Sequence, residues 1–284
     1  MSATLIEGKP IAAKVREEVA AAVAELGHVG IATVLVGDDP ASHIYINLKH
    51  KAAQAAAIEA RDHRLPADTS EEDVLALIAE LNADDAVDGI LVQLPLPAHI
   101  DETAAIEAID PAKDIDGVHP VNAGLLYLGR PALVPATPRG VMRMLAEHEI
   151  EIEGAHAVVV GRSAIVGKPI AQLLVHANAT VTVCHSRTQD LQRHTLDADI
   201  LVVGIGKPHL IAADMVKAGS AVIDVGLTRT EAGLVGDVDP GAAERAAYLT
   251  PVPGGVGPMT IAMVLQNTVS AASARREILA NPVH

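Results

Sequence analysis

The sequence predicts an α/β protein of two domains, the second of which is a doubly wound parallel sheet. Apolar runs of strand length alternate with helical patterns along the chain, and this alternation is typical of βα units. From Ala157 on, the predicted strands recur every 20 to 23 residues, as in successive turns of such a sheet. The predicted strands are residues 31–36, 89–94, 157–160, 180–184, 200–203 and 221–225. The predicted helices are residues 11–26, 40–60, 70–81, 138–148 and 258–272.

Side-chain spacing and capping support the individual helices. Every fourth residue from Ile11 to Val23 is apolar, which gives the first helix one buried face. Ser70 is a favourable N-cap, because three acidic residues follow it in the first turn of the third helix. Glycines and prolines punctuate residues 114–138, so we expect the boundary between the domains there.

Composition and charge restrict the possible partners. Half of the 284 residues are apolar and 20% are charged, which is enough apolar material for a core in each domain. The formal net charge of −15 repels phosphate backbones and anionic lipids, so we expect no nucleic acid and no membrane partner. Cys184 is the only cysteine, no run approaches the ~18 apolar residues of a membrane span, and the first residues lack a signal-peptide layout. These features predict a cytoplasmic protein.

The strand-to-helix turn at residues 157–169 has the layout of a phosphate-binding turn. An apolar strand runs into Gly161 and Gly167 precedes the next helix, so a pyrophosphate would meet a helix N-terminus. Five residues separate the two glycines, which matches neither the G-x-G-x-x-G motif nor the P-loop. The alternative is an ordinary βα turn whose glycines serve only the backbone.

The side chains after the next strand predict which dinucleotide this turn binds. An NAD site normally has an acidic residue there, whereas this chain has His185, Ser186 and Arg187. Together with Arg162, these residues favour the 2′-phosphate of NADP. The alternative for both arginines is solvated surface charge.

Ser42, Tyr45 and Lys49 share one face of the helix predicted to begin at Pro40. A lysine near a phenol inside a cleft suits proton transfer, because desolvation and nearby cations lower the pKa of its ammonium group. The alternative is an amphipathic helix whose lysine stem lies along apolar surface. The chain has three tyrosines and neither Phe nor Trp, so few side chains are available to stack on a flat ligand.

Polar side chains also interrupt two other segments. Gln93 lies in an otherwise apolar run, where its amide needs a ligand or a bond to a neighbouring loop. Asp114 and Asp116 lie in one turn, where either carboxylate has the alternative role of capping that turn. The 13 histidines form no H-E-x-x-H pattern and the cysteine has no second cysteine, so we expect no metal site.

Six segments, in the same order and spacing, resemble the bifunctional methylenetetrahydrofolate dehydrogenase/cyclohydrolase family over nearly the whole chain. They are VGDDPASHIYINLKHKAA from Val36, DGILVQLPLP from Asp88, PAKDIDGVHPVNAG from Pro111, PATPRG from Pro135, VVVGRSAIVGKP from Val158 and TPVPGGVGPMT from Thr250. The chain departs from the family at Ala57 and Ala136, where Gly and Cys are common, and neither position is part of the predicted chemistry.

The resemblance implies NADP-dependent oxidation of methylenetetrahydrofolate and hydrolysis of the methenyl product to 10-formyltetrahydrofolate. It makes Lys49 the catalytic residue of the hydrolysis, with Gln93 orienting it and Asp116 holding the pterin ring. Tyr45 would stack on the folate, and the other folate contacts would be Ser42, Val92, Leu94, Pro253, Gly254, Gly255 and Gly257. NADP would be bound by Gly161, Arg162, Ser163, Ser186, Leu227 and Thr260.

The resemblance also implies a domain organisation and a partner. Residues 1–137 would form the folate-binding, catalytic domain, completed by a last helix at residues 258–284. Residues 138–257 would form a Rossmann-type NADP-binding domain. The active site would lie in a cleft between the domains, where ligand sites are common, and the enzyme would be a homodimer.

Three other functions each fit only part of the sequence. A short-chain dehydrogenase shares the Tyr-x-x-x-Lys spacing, but its nucleotide turn opens the chain, whereas Tyr45 precedes Gly161 here by more than a hundred residues. A regulatory protein that binds NADP without turnover leaves the QLPLP, KDIDG and PGGVGPMT segments unexplained. A dehydrogenase without hydrolase activity has no use for Lys49, Gln93 and Asp116 together.

Overall fold

The computed structural model describes residues 2–130, 133–231 and 233–280, so the predicted domain limits at residue 1 and at residues 281–284 lie outside the described residues. The α-helices are α1 (Gly8–Leu26), α2 (Pro40–Ala55), α3 (Glu71–Ala83), α4 (Glu102–Glu107), α5 (Pro120–Tyr127), α6 (Ala136–Glu147), α7 (Gly167–His176), α8 (Leu191–Thr195) and α9 (Val256–Ala280). The β-strands are β1 (Thr4–Leu5), β2 (Gly30–Val36), β3 (Glu59–Leu65), β4 (Gly89–Val92), β5 (His156–Val160), β6 (Thr180–Cys184), β7 (Ile200–Val203), β8 (Ala221–Asp224), β9 (Thr228–Thr230), β10 (Gly233–Val235) and β11 (Tyr248–Leu249).

One compact unit, the six-stranded unit, comprises the described residues up to Ala13 and residues Thr137 to Thr260. Its sheet has the order β1-β11-β8-β7-β5-β6, and every pair of neighbouring strands is parallel. Of the consecutive strands β5 to β8, β6 lies on one side of β5, and β7 and then β8 lie on its other side. That reversal is the switch point of a doubly wound sheet. Apolar side chains of β5, β7 and β8 fill the core.

The other compact unit, the three-stranded unit, comprises Lys14 to Ala136 and the described residues from Ile261 on. Its parallel sheet has the order β3-β2-β4, and the central strand β2 is buried along its whole length. Strands buried on both faces are continuously apolar, which is why the sequence of β2 shows no alternation. α3 buries Val74 and Ile78 in the core beside this sheet.

Polar side chains of α9 bind three segments of the three-stranded unit. Asn267 Nδ2 donates to the backbone oxygens of Ile115, at 2.7 Å, and Val134, at 2.9 Å. Arg275 Nη1 donates to Asp88 Oδ1 at 3.0 Å. These bonds satisfy buried acceptors and fix the turn that contains Ile115.

The structure corrects three predicted elements. The helix predicted for residues 40–60 ends at Ala55, and β3 follows it. The sequence of β3 contains no apolar run, because β3 is an edge strand whose charged residues are exposed or only partly buried. Ala57 between them has a φ of 58°, in the left-handed region that favours glycine. The strand predicted for residues 89–94 ends at Val92. Within residues 114–138, where the boundary between the domains was predicted, residues 120–127 form the helix α5.

The compact units differ from the predicted domains at the N-terminus. β1 pairs with β11, so the described residues up to Ala13 group with the six-stranded unit although residues 1–137 were predicted to form one domain. Among the described residues, no helix is both long and apolar enough to cross a membrane.

Candidate active site

The first candidate site lies in the three-stranded unit and begins with α2. Asp39 caps this helix, because its carboxylate accepts a hydrogen bond from Ser42 N at 2.7 Å, and Pro40 occupies its first turn. The helix aligns Ser42, Tyr45 and Lys49 as the spacing predicts. Ser42 and Lys49 are buried, at 3% and 8% exposure, whereas Tyr45 is 44% exposed. A lysine that is so well buried needs a polar partner.

Gln93 supplies that partner. It follows β4 directly, and its Oε1 accepts a hydrogen bond from Lys49 Nζ at 3.3 Å. Gln93 Nε2 donates to Leu94 O at 2.8 Å, which fixes the amide with its oxygen toward the lysine. The sequence separates these two residues by 44 positions, yet the parallel sheet brings them together. The predicted pairing of Lys49 with Gln93 is therefore present in the structure.

Val92 and Leu94, the sequence neighbours of Gln93, direct their side chains into the hydrophobic core. Val92 is buried in the hydrophobic core of the three-stranded unit, and Leu94 packs against the same core. Any contact of Val92 with folate would therefore use its backbone rather than its side chain. The peptide bond between Leu94 and Pro95 is cis.

The KDIDG turn is built by three of its own residues. Lys113 is 1% exposed, and its Nζ donates to three backbone oxygens at the end of α3 and just after it, at 2.8 to 3.0 Å. Asp114 accepts hydrogen bonds from His119 N at 2.8 Å and from Asn122 Nδ2 at 2.9 Å. Gly117 has a φ of 68°, and a Cβ there would lie 2.4 Å from Val134 C. Asp114 is therefore the carboxylate that holds the turn.

Asp116 is the remaining carboxylate of this turn. Burial raises its pKa above the usual value, the positive charge of Lys49 acts in the opposite direction, and Asp114 raises it further. Lys49 is thus close enough to Asp116 to influence its ionisation. Together Lys49, Gln93 and Asp116 form a polar group that draws on α2, the end of β4 and the KDIDG turn.

His50 is a neighbour of Lys49 that its spacing from His43 on one helix face predicts to be a surface residue, but its side chain is only 15% exposed. Its Nε2 lies 2.7 Å from Thr33 Oγ1, and its Nδ1 lies 3.7 Å from Asp62 Oδ2. Burial lowers the pKa of His50, with Asp62 opposing that shift. The bond to buried Thr33 anchors α2 on the central strand at the position next to Lys49. The only signal in the sequence is the adjacency of the two residues.

The second candidate site is a cavity of about 660 Å³ in the six-stranded unit. It lies where β5, β6, β7 and β8 end, the edge at which doubly wound sheets bind ligands. The cavity is lined by Val160, Gly161, Arg162, Ser163, Ile165, Val166, His185, Ser186, Thr188, Leu191, Gly204, Ile205, Gly206, Lys207, Leu210, Val225, Gly226 and Leu227.

The glycine turn shapes one wall of this cavity. Gly161 has a φ of 127°, and a Cβ on it would lie 2.5 Å from Gly204 O. A Cβ on Gly167 would lie 2.3 Å from Gly161 O. Ser163 Oγ accepts hydrogen bonds from Val166 N and Gly167 N at 3.2 and 3.3 Å, so it holds the backbone of the turn where α7 begins. The turn therefore depends on glycine at both positions.

Five of the six predicted cofactor residues line the cavity, namely Gly161, Arg162, Ser163, Ser186 and Leu227. Thr260 does not line it, and its Oγ1 lies 2.8 Å from Thr137 Oγ1. Arg187 is also outside the lining. The side chains at the end of β6 thus fit a phosphate rather than a ribose hydroxyl pair, because none of the lining residues is acidic.

The glycine-rich segment after β11 belongs to the six-stranded unit. Gly254 has a φ of 111°, and its oxygen accepts a hydrogen bond from Gly8 N at 2.9 Å. A Cβ on Gly8 would lie 1.8 Å from Gly255 O, so the two backbones approach closely. Pro253 forms a cis peptide bond with Val252, and both Pro253 and Gly257 are exposed.

No cluster of metal-ligating side chains exists among the residues that the structure describes. The doubly wound sheet, the glycine turn and the adjoining cavity define a nucleotide-binding α/β protein, and a second unit carries a buried lysine with an amide and a carboxylate.

Comparison with known proteins identifies the family. Residues 6–116 match the catalytic domain of tetrahydrofolate dehydrogenase/cyclohydrolase, and residues 135–276 match the NAD(P)-binding domain of the same family. The bifunctional protein FolD of Acidiphilium cryptum is 57% identical over 279 residues, which are 97% of this chain and 100% of that protein. The chain belongs to the tetrahydrofolate dehydrogenase/cyclohydrolase family.

Solved structures agree with this assignment. The crystal structure of the bifunctional FolD enzyme of Campylobacter jejuni matches with a TM-score of 0.95 at 47% identity, over 96% of this chain and 100% of that chain. The enzyme of Trypanosoma brucei, solved in complex with NADP cofactor and an inhibitor, matches with a TM-score of 0.92 at 40% identity, over 97% and 99%. The predicted family and the predicted fold class are confirmed.

Proposed function

We propose that the chain oxidises methylenetetrahydrofolate with NADP and hydrolyses the methenyl product to 10-formyltetrahydrofolate, with hydrolysis carried by Lys49. The observation that carries the proposal is the bond from buried Lys49 to Gln93 in one unit, combined with a dinucleotide-type cavity in the other. Family membership supports both activities.

Oxidation removes a hydride from the carbon between two folate nitrogens. The cation that remains is stabilised by both nitrogens, so this step requires no proton transfer from a side chain. NADP supplies the hydride acceptor when it is bound. The protein's contribution is to hold the two reactants in a reactive orientation. Thr260 and the segment from Pro253 to Gly257 are the proposed contacts near the reacting groups.

The cofactor is held by the turn around Gly161 and by the end of β6. The glycines at positions 161 and 167 leave room for the pyrophosphate beside the start of α7, since a Cβ at either position would overlap backbone. Arg162 and Ser186 line the cavity and bind the 2′-phosphate. Leu227 contributes a backbone contact from the loop after β8.

Hydrolysis is the step that needs proton transfer. Water adds to the methenyl carbon and loses one proton, which leaves a hydroxyl on that carbon. The hydroxyl loses its proton as the formyl C=O forms, the carbon–nitrogen bond breaks and that folate nitrogen takes up a proton, so one proton is released overall. Lys49 Nζ moves these protons, and the bond to Gln93 Oε1 keeps Nζ aimed at the reacting carbon. Its burial excludes bulk water from the amine.

Asp116 and Tyr45 bind the folate for both steps. A carboxylate accepts hydrogen bonds from the amino group and ring N–H of a pterin. Of the two carboxylates in the KDIDG turn, Asp114 already accepts hydrogen bonds from His119 and Asn122, so Asp116 is the one that binds the pterin. Tyr45 is exposed enough to stack on the flat folate ring. Ser42 and the backbone beside Gln93 complete the contacts.

The enzyme functions as a homodimer in the cytoplasm. The single cysteine, Cys184, supports a reducing compartment. The family resemblance supports the second copy as partner.

The test is an assay in which the purified chain receives methylenetetrahydrofolate with NADP and, separately, with NAD. Reduced cofactor and the methenyl intermediate are followed in the same cuvette. We expect NADPH to form without build-up of the methenyl compound, and NAD to be the poorer acceptor. Formation of NADPH with build-up of the methenyl compound would contradict the proposed hydrolase activity. If neither NADP nor NAD is reduced, the whole proposal is contradicted.

A further inference from the structure

Two buried aspartates lie behind the wall of the cofactor cavity. Asp224 ends β8 and is 3% exposed, and Asp237 follows β10 and is 0% exposed. Neither residue lines the cavity. Burying two carboxylates without a basic partner is costly unless backbone N–H groups satisfy them, so their hydrogen bonds indicate what they do.

Asp237 holds the turn that follows β7. Its Oδ2 accepts hydrogen bonds from Ile205 N at 2.6 Å and from Gly206 N at 2.9 Å. Both of these residues line the cavity. Hydrogen bonds from backbone N–H groups to a carboxylate are among the stronger ones in proteins, so Asp237 fixes the backbone of this turn from behind. Its Oδ1 accepts no hydrogen bond from the described residues.

Asp224 holds the turn that follows β8 and also holds Asp237. Its Oδ1 accepts hydrogen bonds from Gly226 N at 2.9 Å and from Asp237 N at 3.0 Å, and its Oδ2 accepts one from Val238 N at 2.9 Å. Gly226 lines the cavity. One carboxylate therefore ties a cavity residue to the segment that carries the other carboxylate.

Gly226 shows how closely the two turns are packed. A Cβ on Gly226 would lie 2.3 Å from Asp237 Cγ. Any larger side chain would therefore push the Asp237 carboxylate away from Ile205 N and Gly206 N, or push the turn after β8 into the cavity. The turns after β7 and β8 are thus fixed relative to each other through Asp237.

The electrostatic cost of this arrangement is visible at Asp224. Burial raises its pKa to about 6, and the negative charge of Asp237 adds to that shift, against the lowering effect of its three backbone hydrogen bonds. A core built only for stability would fill this space with apolar side chains at lower cost. Costly buried polar groups are typical of sites where geometry serves a ligand.

We propose that Asp237, supported by Asp224, is a positioning residue for NADP. It fixes the turns after β7 and β8, which form the wall of the cofactor cavity next to the glycine turn. The inference rests on the proposed function, because it assumes that this cavity binds NADP. Asp237 touches neither cofactor nor substrate, and it acts through the backbone of Ile205, Gly206 and Gly226.

The test compares Asp237→Ala with a control, Asp199→Ala, which removes an exposed carboxylate of the same unit. Asp199 lies directly before β7, at the amino ends of the strands and so away from the cavity at their carboxyl ends. It accepts hydrogen bonds from His156 N at 2.9 Å and Lys217 Nζ at 2.6 Å. Both variants lose a carboxylate that binds backbone in the six-stranded unit. NADP binding is measured by calorimetry without folate, and hydrolysis is measured on supplied methenyltetrahydrofolate without cofactor.

For Asp237→Ala we expect the Kd and KM of NADP to rise about tenfold or more, with kcat at saturating NADP and cofactor-free hydrolysis unchanged. Asp237→Asn should recover most of the affinity, because its amide oxygen accepts the same two backbone hydrogen bonds. Asp199→Ala should keep the affinity of the unaltered chain. Unchanged NADP affinity in folded Asp237→Ala, an equal loss in Asp199→Ala, or failure of Asp237→Asn to recover would each overturn the inference.

If Asp237→Ala does not fold, Gly226→Ala and Asp237→Asn decide the question. Gly226→Ala should weaken NADP binding by displacing the same carboxylate, and unaltered binding in this variant would overturn the inference. Failure of the proposed function has a different signature, since the unaltered chain itself would then show no NADP binding.

Discussion

The two units of the chain build their candidate sites in different ways. In the six-stranded unit the site is largely backbone, formed by a glycine turn and by strand ends that follow one another in the sequence. In the three-stranded unit the site is made of side chains from α2, from the end of β4 and from the KDIDG turn. The first kind of site fails when a side chain is added, and the second fails when one is removed.

The largest effect on oxidation is expected for Gly161→Ala. Alanine at a φ of 127° is strained by about 1–3 kcal/mol, and its Cβ would also overlap Gly204 O at 2.5 Å. We expect NADP-dependent oxidation to fall by roughly a hundredfold, while hydrolysis of supplied methenyltetrahydrofolate is retained. Both rates are measured on one preparation.

Gly154→Ala is the matched control for this prediction. Gly154 also has a positive φ, 76°, but a Cβ there would meet nothing within 4 Å. It therefore places alanine at a positive φ in the same unit without the overlap. Equal loss of oxidation in both variants would show that general destabilisation, and not the cofactor turn, is responsible.

Asp116→Ala should be next in size and should affect both reactions. Since the pterin anchor serves oxidation and hydrolysis alike, we expect kcat/KM for each to fall about tenfold or more. Asp68→Ala, an exposed aspartate of the same unit, should change neither. Steady-state kinetics with each folate measures this, and unaltered kinetics in Asp116→Ala would remove the residue from the site.

The pH dependence of folate binding should reveal the same carboxylate. Because burial raises the pKa of Asp116, its ionised form is lost at a higher pH than that of an exposed aspartate. We expect the KM for methylenetetrahydrofolate to rise as the pH falls from neutral into the acid range, and this rise to be absent in Asp116→Asn. The measurement is KM against pH, and an identical profile in both proteins would assign the titration to another group.

The smallest effect is expected for Arg162→Ala. Arg162 lines the cavity whereas Arg187 does not. Loss of one charge-assisted contact to the 2′-phosphate should reduce the preference for NADP over NAD about tenfold, while Arg187→Ala should leave the preference nearly unchanged. The ratio of kcat/KM for the two cofactors measures this, and the reverse order would transfer the 2′-phosphate contact to Arg187.

The same difference between the units explains what the sequence predicts well. The strands at 180–184 and 200–203 coincide with β6 and β7, and the glycine turn lies next to its cavity, because these features depend on short stretches of chain. The edge strand β3 was missed because its residues are mostly charged and none of them is buried, so they form no apolar run. Local pattern is a weak guide to an edge strand, whose second face needs no apolar partner.

Long-range contacts set the limit of prediction in the three-stranded unit. Nothing in the local sequence around Lys49 shows that Gln93 will accept its hydrogen bond, and that pair came from the family resemblance. The roles of Asp114 and Asp116 could not be separated by spacing even at short range, because they depend on the hydrogen bonds that His119 N and Asn122 Nδ2 donate to Asp114. The contact of His50 was not predicted because its partner Thr33 lies on β2, whereas His50 lies on α2.

The assignment of hydrolysis to Lys49 is tested most directly by progress curves of Lys49→Gln, with methylenetetrahydrofolate and NADP in one cuvette. Lys51→Gln, an exposed lysine of the same helix, is the control. We predict that Lys49→Gln forms NADPH and accumulates the methenyl compound, with hydrolysis reduced by roughly a hundredfold or more, and that Lys51→Gln behaves like the unaltered chain. Loss of both activities together in folded Lys49→Gln, or NADPH formation without methenyl build-up, would contradict it.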